Sequence, residues 1–112
     1  EGVYKVKAVK AEANIARYQL ADAKEKVELQ VSQASYKVNE AAKRLSMAEK
    51  NLEKADENLR YAKLGFMEGV IPTSNVLEAQ TAWLSAQSDK IDAQIDVKLT
   101  EVYLRKSMGV LK

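Results

Sequence analysis

The reactive groups of this chain are carboxylates, hydroxyls and amines, because it contains no histidine and no cysteine. Asp89, Asp92 and Asp96 are spaced three and four residues apart, which sets their carboxylates on one face of a helix. Asn75 and Glu78 share a face in the same way. Paired carboxylates could do acid and base work on a glycosidic bond if a pocket held that bond between them. On a bare helix they equally form an exposed acidic patch. Without imidazole or thiolate, the usual general base, covalent nucleophile and transition-metal ligands are missing. Gly65 and Gly69 follow a helical pattern rather than a strand, so they read as turn glycines and not as a phosphate cradle. The residues therefore predict no catalytic residue, no metal, no cofactor and no enzyme.

The elements that position these residues are helices. Alanine, lysine, glutamate, leucine and valine dominate, and no strand-like alternation lasts more than a few residues. The one interruption, Gly65-Phe66-Met67-Glu68-Gly69-Val70-Ile71-Pro72, holds the single proline and two of the four glycines. Glycine tolerates the positive φ that ends a helix, while proline removes a donor and keeps its predecessor out of the α region. The expected fold is all-α, a long antiparallel coiled-coil helical hairpin with unequal arms: a helix over 4–64, a tip over 65–73 and a returning helix over 74–108. Two helices alone offer a thin core, which predicts cover from further helices, in an oligomer or in a larger protein of which this is a piece. The chain begins at Glu1 with no leader-like run, so any targeting segment is expected to have been removed or not included. No stretch reaches the roughly 18 apolar residues of a membrane-spanning helix. The net charge of +2, from 18 basic and 16 acidic residues, is interleaved along the chain, which argues against nucleic acid as a partner.

A heptad seam runs along the second half of the long helix: Ala34, Val38, Ala41, Leu45, Ala48, Leu52, Ala55, Leu59 and Ala62 alternate by four and three residues. Leucine fills one column and alanine the other, so a partner backbone should approach closely. Upstream the columns continue as Val31, Lys24 and Arg17 and as Val27, Leu20 and Ala13, which predicts different neighbours for the first thirty residues. Glu40 with Arg44, and Asp56 with Arg60, read as i, i+4 surface pairs.

The returning helix is expected to start among Thr73, Ser74 and Asn75, with Asn75 and Glu78 arranged like a capping box, and to stop at Gly109. Two stripes can be traced on it. Leu77, Leu84, Ile91 and Ile95 form one; Val76, Ala79, Trp83, Ala86, Ala93 and Val97 form the other. Two adjacent stripes predict a neighbour on each flank. Gln80, Gln87, Gln94 and Glu101 make a polar line that suits a solvated face or a water-filled interior. Trp83 reads as a seam residue between hairpins, and Phe66 and Met67 as residues that either close the hairpin end or meet a partner.

Around and beyond the break, Gly69-Val70-Ile71-Pro72-Thr73-Ser74-Asn75-Val76-Leu77-Glu78-Ala79-Gln80, then Ala86-Gln87, then Met108-Gly109-Val110-Leu111 form a pattern that resembles the TolC family of outer-membrane efflux proteins. The family pattern is a tip glycine, an Asp-Val-Leu-Asp/Glu-Ala run six residues on, and Gly-x-Leu at the end of the returning helix. The resemblance implies the helix pair after the second strand pair, in a homotrimer whose β-barrel lies in the outer membrane and whose α-helical tunnel crosses the periplasm. It implies passive export of solutes passed on by an inner-membrane pump through a periplasmic adaptor, with this segment periplasmic and membrane contact only through strands outside it. Family tips meet the adaptor through a Val-Gly-Leu-like element, whose place is taken here by Glu68-Gly69-Val70 within an adaptor-contacting tip of Phe66, Met67, Glu68, Gly69, Val70 and Ile71. Two acids that ring the family's closed entrance correspond to Asn75 and Glu78, a pore constriction with one acid left. A latching tyrosine and arginine correspond to Phe66 and Ile71, neither of which can make a polar latch. Glu78 also suits a plain role beside the positive end of the helix dipole.

Two other readings fit a helical hairpin. A periplasmic adaptor carries one with an Arg-x3-Leu-x6-Ser tip; Arg60 and Leu64 fit that pattern, but the third place holds Ile71. A scaffolding coiled coil that only dimerises would not need Asn-Val-Leu-Glu-Ala after its turn.

Overall fold

The computed structural model describes residues 2–110. Helix α1 spans Gly2–Met67 and helix α2 spans Thr73–Val110. They lie antiparallel in a rod of 101 × 19 × 13 Å, so the fold is the unequal all-α hairpin the heptads predict. At about 1.5 Å per residue, α2 is long enough to cover only the half of α1 next to the tip. The other half overhangs.

Each boundary falls outside its expected place. α1 starts at Gly2 rather than residue 4 and passes through Gly65 to Met67 rather than stopping at 64. α2 starts at Thr73 rather than 74 and continues through Gly109 rather than stopping at 108. Glycine inside a helix costs only about 1 kcal/mol, so it need not end one. The glycine that does end α1 is Gly69, the only residue of positive φ (76°) among those described.

The seam of α1 is buried or half-buried along its whole expected length. Ala34 and Ala41 are 0% exposed, Ala48, Leu52, Ala55 and Ala62 are buried, and Val38, Leu45 and Leu59 are half-buried. Facing it, α2 buries or half-buries Val76, Ala79, Trp83, Ala86, Lys90, Ala93, Val97, Thr100, Leu104 and Ser107, again alternating by three and four. One column of α2 is therefore Ala79, Ala86, Ala93, Thr100 and Ser107, all small. It meets the alanine column of α1: Ala55 packs with Ala86, and Ala48 with Ala93 and Ala62 with Ala79 border common grooves. Small side chains on both sides let the backbones approach, and dispersion between backbone and methyl groups replaces a large apolar core. The hydroxyls in this column are satisfied within α2, Thr100 donating to the carbonyl of Val97 (2.9 Å) and Ser107 to that of Tyr103 (3.0 Å).

The bulkier columns cover the flanks of this ladder. Leu52, Ala55 and Ala86 form the buried cluster, with Trp83 packed against it. The other expected stripe of α2, Leu77, Leu84, Ile91 and Ile95, lies outside the seam and is exposed. One stripe thus has its neighbour within the hairpin. The second has none among the described residues.

Candidate docking tip and flanking polar faces

The tip is built by two glycines with different tasks. The N–H of Val70 donates to the carbonyl of Gly65 (2.8 Å) and the N–H of Gly69 donates to that of Phe66 (3.0 Å). With Gly69 left-handed between them, these are the two bonds of a Schellman motif, which satisfies carbonyls that the helix end would leave orphaned. The Ile71 N–H makes a second bond to Gly65 O (3.1 Å), and the Ile71 side chain folds back over the same residue. A Cβ on Gly65 would lie 2.6 Å from Ile71 Cγ1 and 3.2 Å from its Cβ. Gly65 is therefore there for close packing, and Gly69 for the left-handed turn.

This arrangement leaves an apolar apex. Met67 is 81% and Val70 77% exposed, with Glu68 between them in sequence and Phe66 about half exposed. Of the six expected tip residues only Gly69 is fixed by its own backbone conformation and only Ile71 is half-buried; Phe66, Met67, Glu68 and Val70 project. Met67 does not close the hairpin end.

Asn75 lies in the first turn of α2 rather than at its cap. The helix has already begun at Thr73, with the carbonyl of Pro72 accepting from the Asn75 N–H (3.1 Å), so Asn75 and Glu78 do not frame the helix start as a capping box would. Glu78 is a full turn further on, where the helix dipole acts weakly. Both are exposed beside Asn58, Tyr61 and Ala82 in a shallow groove along one flank of the hairpin. Asp89 and Asp96 follow Asn75 at multiples of seven residues, and Asp92 follows Glu78 likewise, so all five share this flank. Gln80, Gln87, Gln94 and Glu101 run along the opposite edge, and Gln87 and Glu101 are half-buried there. The hairpin thus has an acidic flank and an amide flank.

Three polar contacts tie the arms together, and sequence spacing did not reveal them. Arg44 reaches across to Asp96 (2.6 Å) instead of pairing with Glu40, which bonds Lys43 (3.3 Å). The indole N–H of Trp83 donates to Asp56, which does not bridge to Arg60. Lys37 sits 5.7 Å from the Tyr103 ring centroid, and Arg60 stacks locally on Tyr61 at 5.3 Å. Lys37 and Arg44 are seven residues apart, as are Tyr103 and Asp96, so both contacts report the same antiparallel register. Within-helix pairing looked sufficient in one dimension; in the hairpin, the flanking positions of the second helix lie closer. Lys90, a half-buried cation inside the seam, was also missed, although extending the heptads from Val76 and Trp83 reaches it.

The family model "Outer membrane efflux protein" matches residues 4–110, which spans both helices and the tip. The chain belongs to the outer membrane efflux protein family. No curated protein and no solved structure matches it. Membership in this efflux family agrees with the resemblance carried by Gly69 to Gln80 and excludes neither arm from it. Among the described residues no helix is long and apolar enough to cross a membrane. The tip, the flanks and the outer stripe are the exposed surfaces of this efflux-family hairpin, and the grooves beside Asp89, Asp92 and Asp96 and beside Glu78 are open to solvent.

Proposed function

We propose that this hairpin is a wall element of the periplasmic tunnel of an outer-membrane efflux duct. In this reading the trimeric duct passively exports solutes received from an inner-membrane pump, and residues 66–71 dock a periplasmic adaptor. The observation that carries the reading is the tip: a hydrogen-bonded turn that presents Met67 and Val70 to solvent at the extreme end of a rod. Large apolar side chains on a rigid apex suit a shallow hydrophobic contact with another tip. The acidic flank supports a tunnel-facing side, and three copies of Glu78 around a threefold axis would favour cations and resist closure by mutual repulsion.

The test uses the complete trimer and its adaptor. Met67→Asp with Val70→Asp should abolish adaptor co-purification and efflux while trimers still assemble, and Glu78→Ala should leave docking intact and change conductance or cation block. Unimpaired adaptor binding by the double variant overturns the docking tip, and unchanged conductance of Glu78→Ala removes the constriction.

A further inference from the structure

Two half-buried residues close the apex. They are Gly65 and Ile71, and every residue between them, from Phe66 to Val70, is exposed. The carbonyl of Gly65 accepts from the N–H groups of both Val70 (2.8 Å) and Ile71 (3.1 Å), so one acceptor gathers the two ends of the loop. Pro72 bars Ile71 from the α region and turns the chain toward α2. The Ile71 side chain then lies over Gly65, with its Cγ1 2.6 Å from the place a Cβ on residue 65 would occupy.

Backbone conformation does not account for this glycine. Gly65 lies inside α1 and lacks the positive φ of Gly69, whereas Gly69 has open space where its Cβ would be. Alanine would suit the helix at residue 65 better than glycine does. The two positions therefore resist a side chain for different reasons: Gly69 by strain of the backbone, Gly65 by collision with one neighbouring side chain.

We propose that Gly65 and Ile71 are a fitted pair that positions the apex for docking. With Ile71 seated on a bare Gly65, Met67 and Val70 project toward the adaptor in one fixed arrangement. These two are 81% and 77% exposed, so their direction is set by the loop rather than by packing against the arms. A loop fixed before contact removes an ordering cost from the docking step. A side chain at residue 65 displaces Ile71, loosens both hydrogen bonds to the Gly65 carbonyl and re-aims both apolar groups. The partner thus depends on Gly65 without touching it. The inference rests on the docking reading of the tip, adds Gly65 to it, and moves Ile71 from contact to support.

The complete trimer and its adaptor test this, with binding followed by biolayer interferometry and assembly by size-exclusion chromatography. G65A should assemble and bind the adaptor roughly tenfold more weakly, and I71A, which unseats the loop, about threefold more weakly. G65A/I71A should bind as well as I71A alone, because the crowding atoms beyond the Ile71 Cβ are gone, and a double-mutant cycle reads this coupling directly. G69A should stay impaired with I71A added, since its strain lies in the backbone. Undiminished binding by G65A or by I71A, a loss in G65A that I71A does not relieve, or failure of G65A to assemble would overturn the fitted pair while M67D/V70D still abolishes docking. Undiminished binding by M67D/V70D would overturn the docking reading and this inference together.

Discussion

The half of α1 near the tip and the half that overhangs follow the same heptads, yet only the first is a folded interface. Between Ala34 and Ala62 every seam residue is buried or half-buried, whereas Val6, Ala13 and Leu20 occupy equivalent positions in water. The difference lies in what stands opposite. A repeating pattern declares a face, and a second helix with a matching column is needed to make that face a core. Here the match is small on small, an alanine column against Ala79, Ala86, Ala93, Thr100 and Ser107, tied at its edges by Arg44 to Asp96 and Trp83 to Asp56.

Overpacking should separate the two halves most sharply. Ala48→Leu forces a branched side chain between closely approached backbones and should destabilise the hairpin by about 2–3 kcal/mol. Ala13→Leu, in the same column of the overhang, should change stability by less than about 0.5 kcal/mol. Denaturant midpoints by circular dichroism would measure both, and similar losses would erase the distinction between the halves. A smaller contrast concerns polar ties. Asp56→Ala leaves the Trp83 N–H without its carboxylate and should cost about 1 kcal/mol with a shift in tryptophan emission, since hydrogen bonds to charged groups outweigh neutral ones. Lys24→Ala should leave stability nearly unchanged, because its side chain holds nothing within the hairpin.

Much of this was legible in one dimension. The nine-residue seam of α1, the break and the second stripe of α2 follow from periodicity, because helix period and apolar spacing are local properties. The register between the arms was not legible, so Arg44 with Asp96 could not be read from spacing, whereas the heptads from Val76 and Trp83 do lead to Lys90. Gly65 misled because a glycine near a helix end resembles a terminator, and only the Ile71 side chain folded over it reveals a close approach. Likewise Asn75 carries a capping side chain but lies inside the first turn, since Pro72 already supplies the accepting carbonyl. The tip as a place was evident from Gly69 and Pro72. Which of its side chains project depended on the turn geometry.

Hydrogen exchange along α1 in the chain by itself tests the contrast most directly. An unpaired helix of some 25 residues is marginal in water, whereas a seamed one opens only when the hairpin does. Amides from Ala34 to Ala62 should exchange at least about tenfold more slowly than those from Tyr4 to Lys24, with the change falling where α2 ends. Uniform protection along α1, or slower exchange in the overhang than in the seam, would contradict the division into a paired half and an open one.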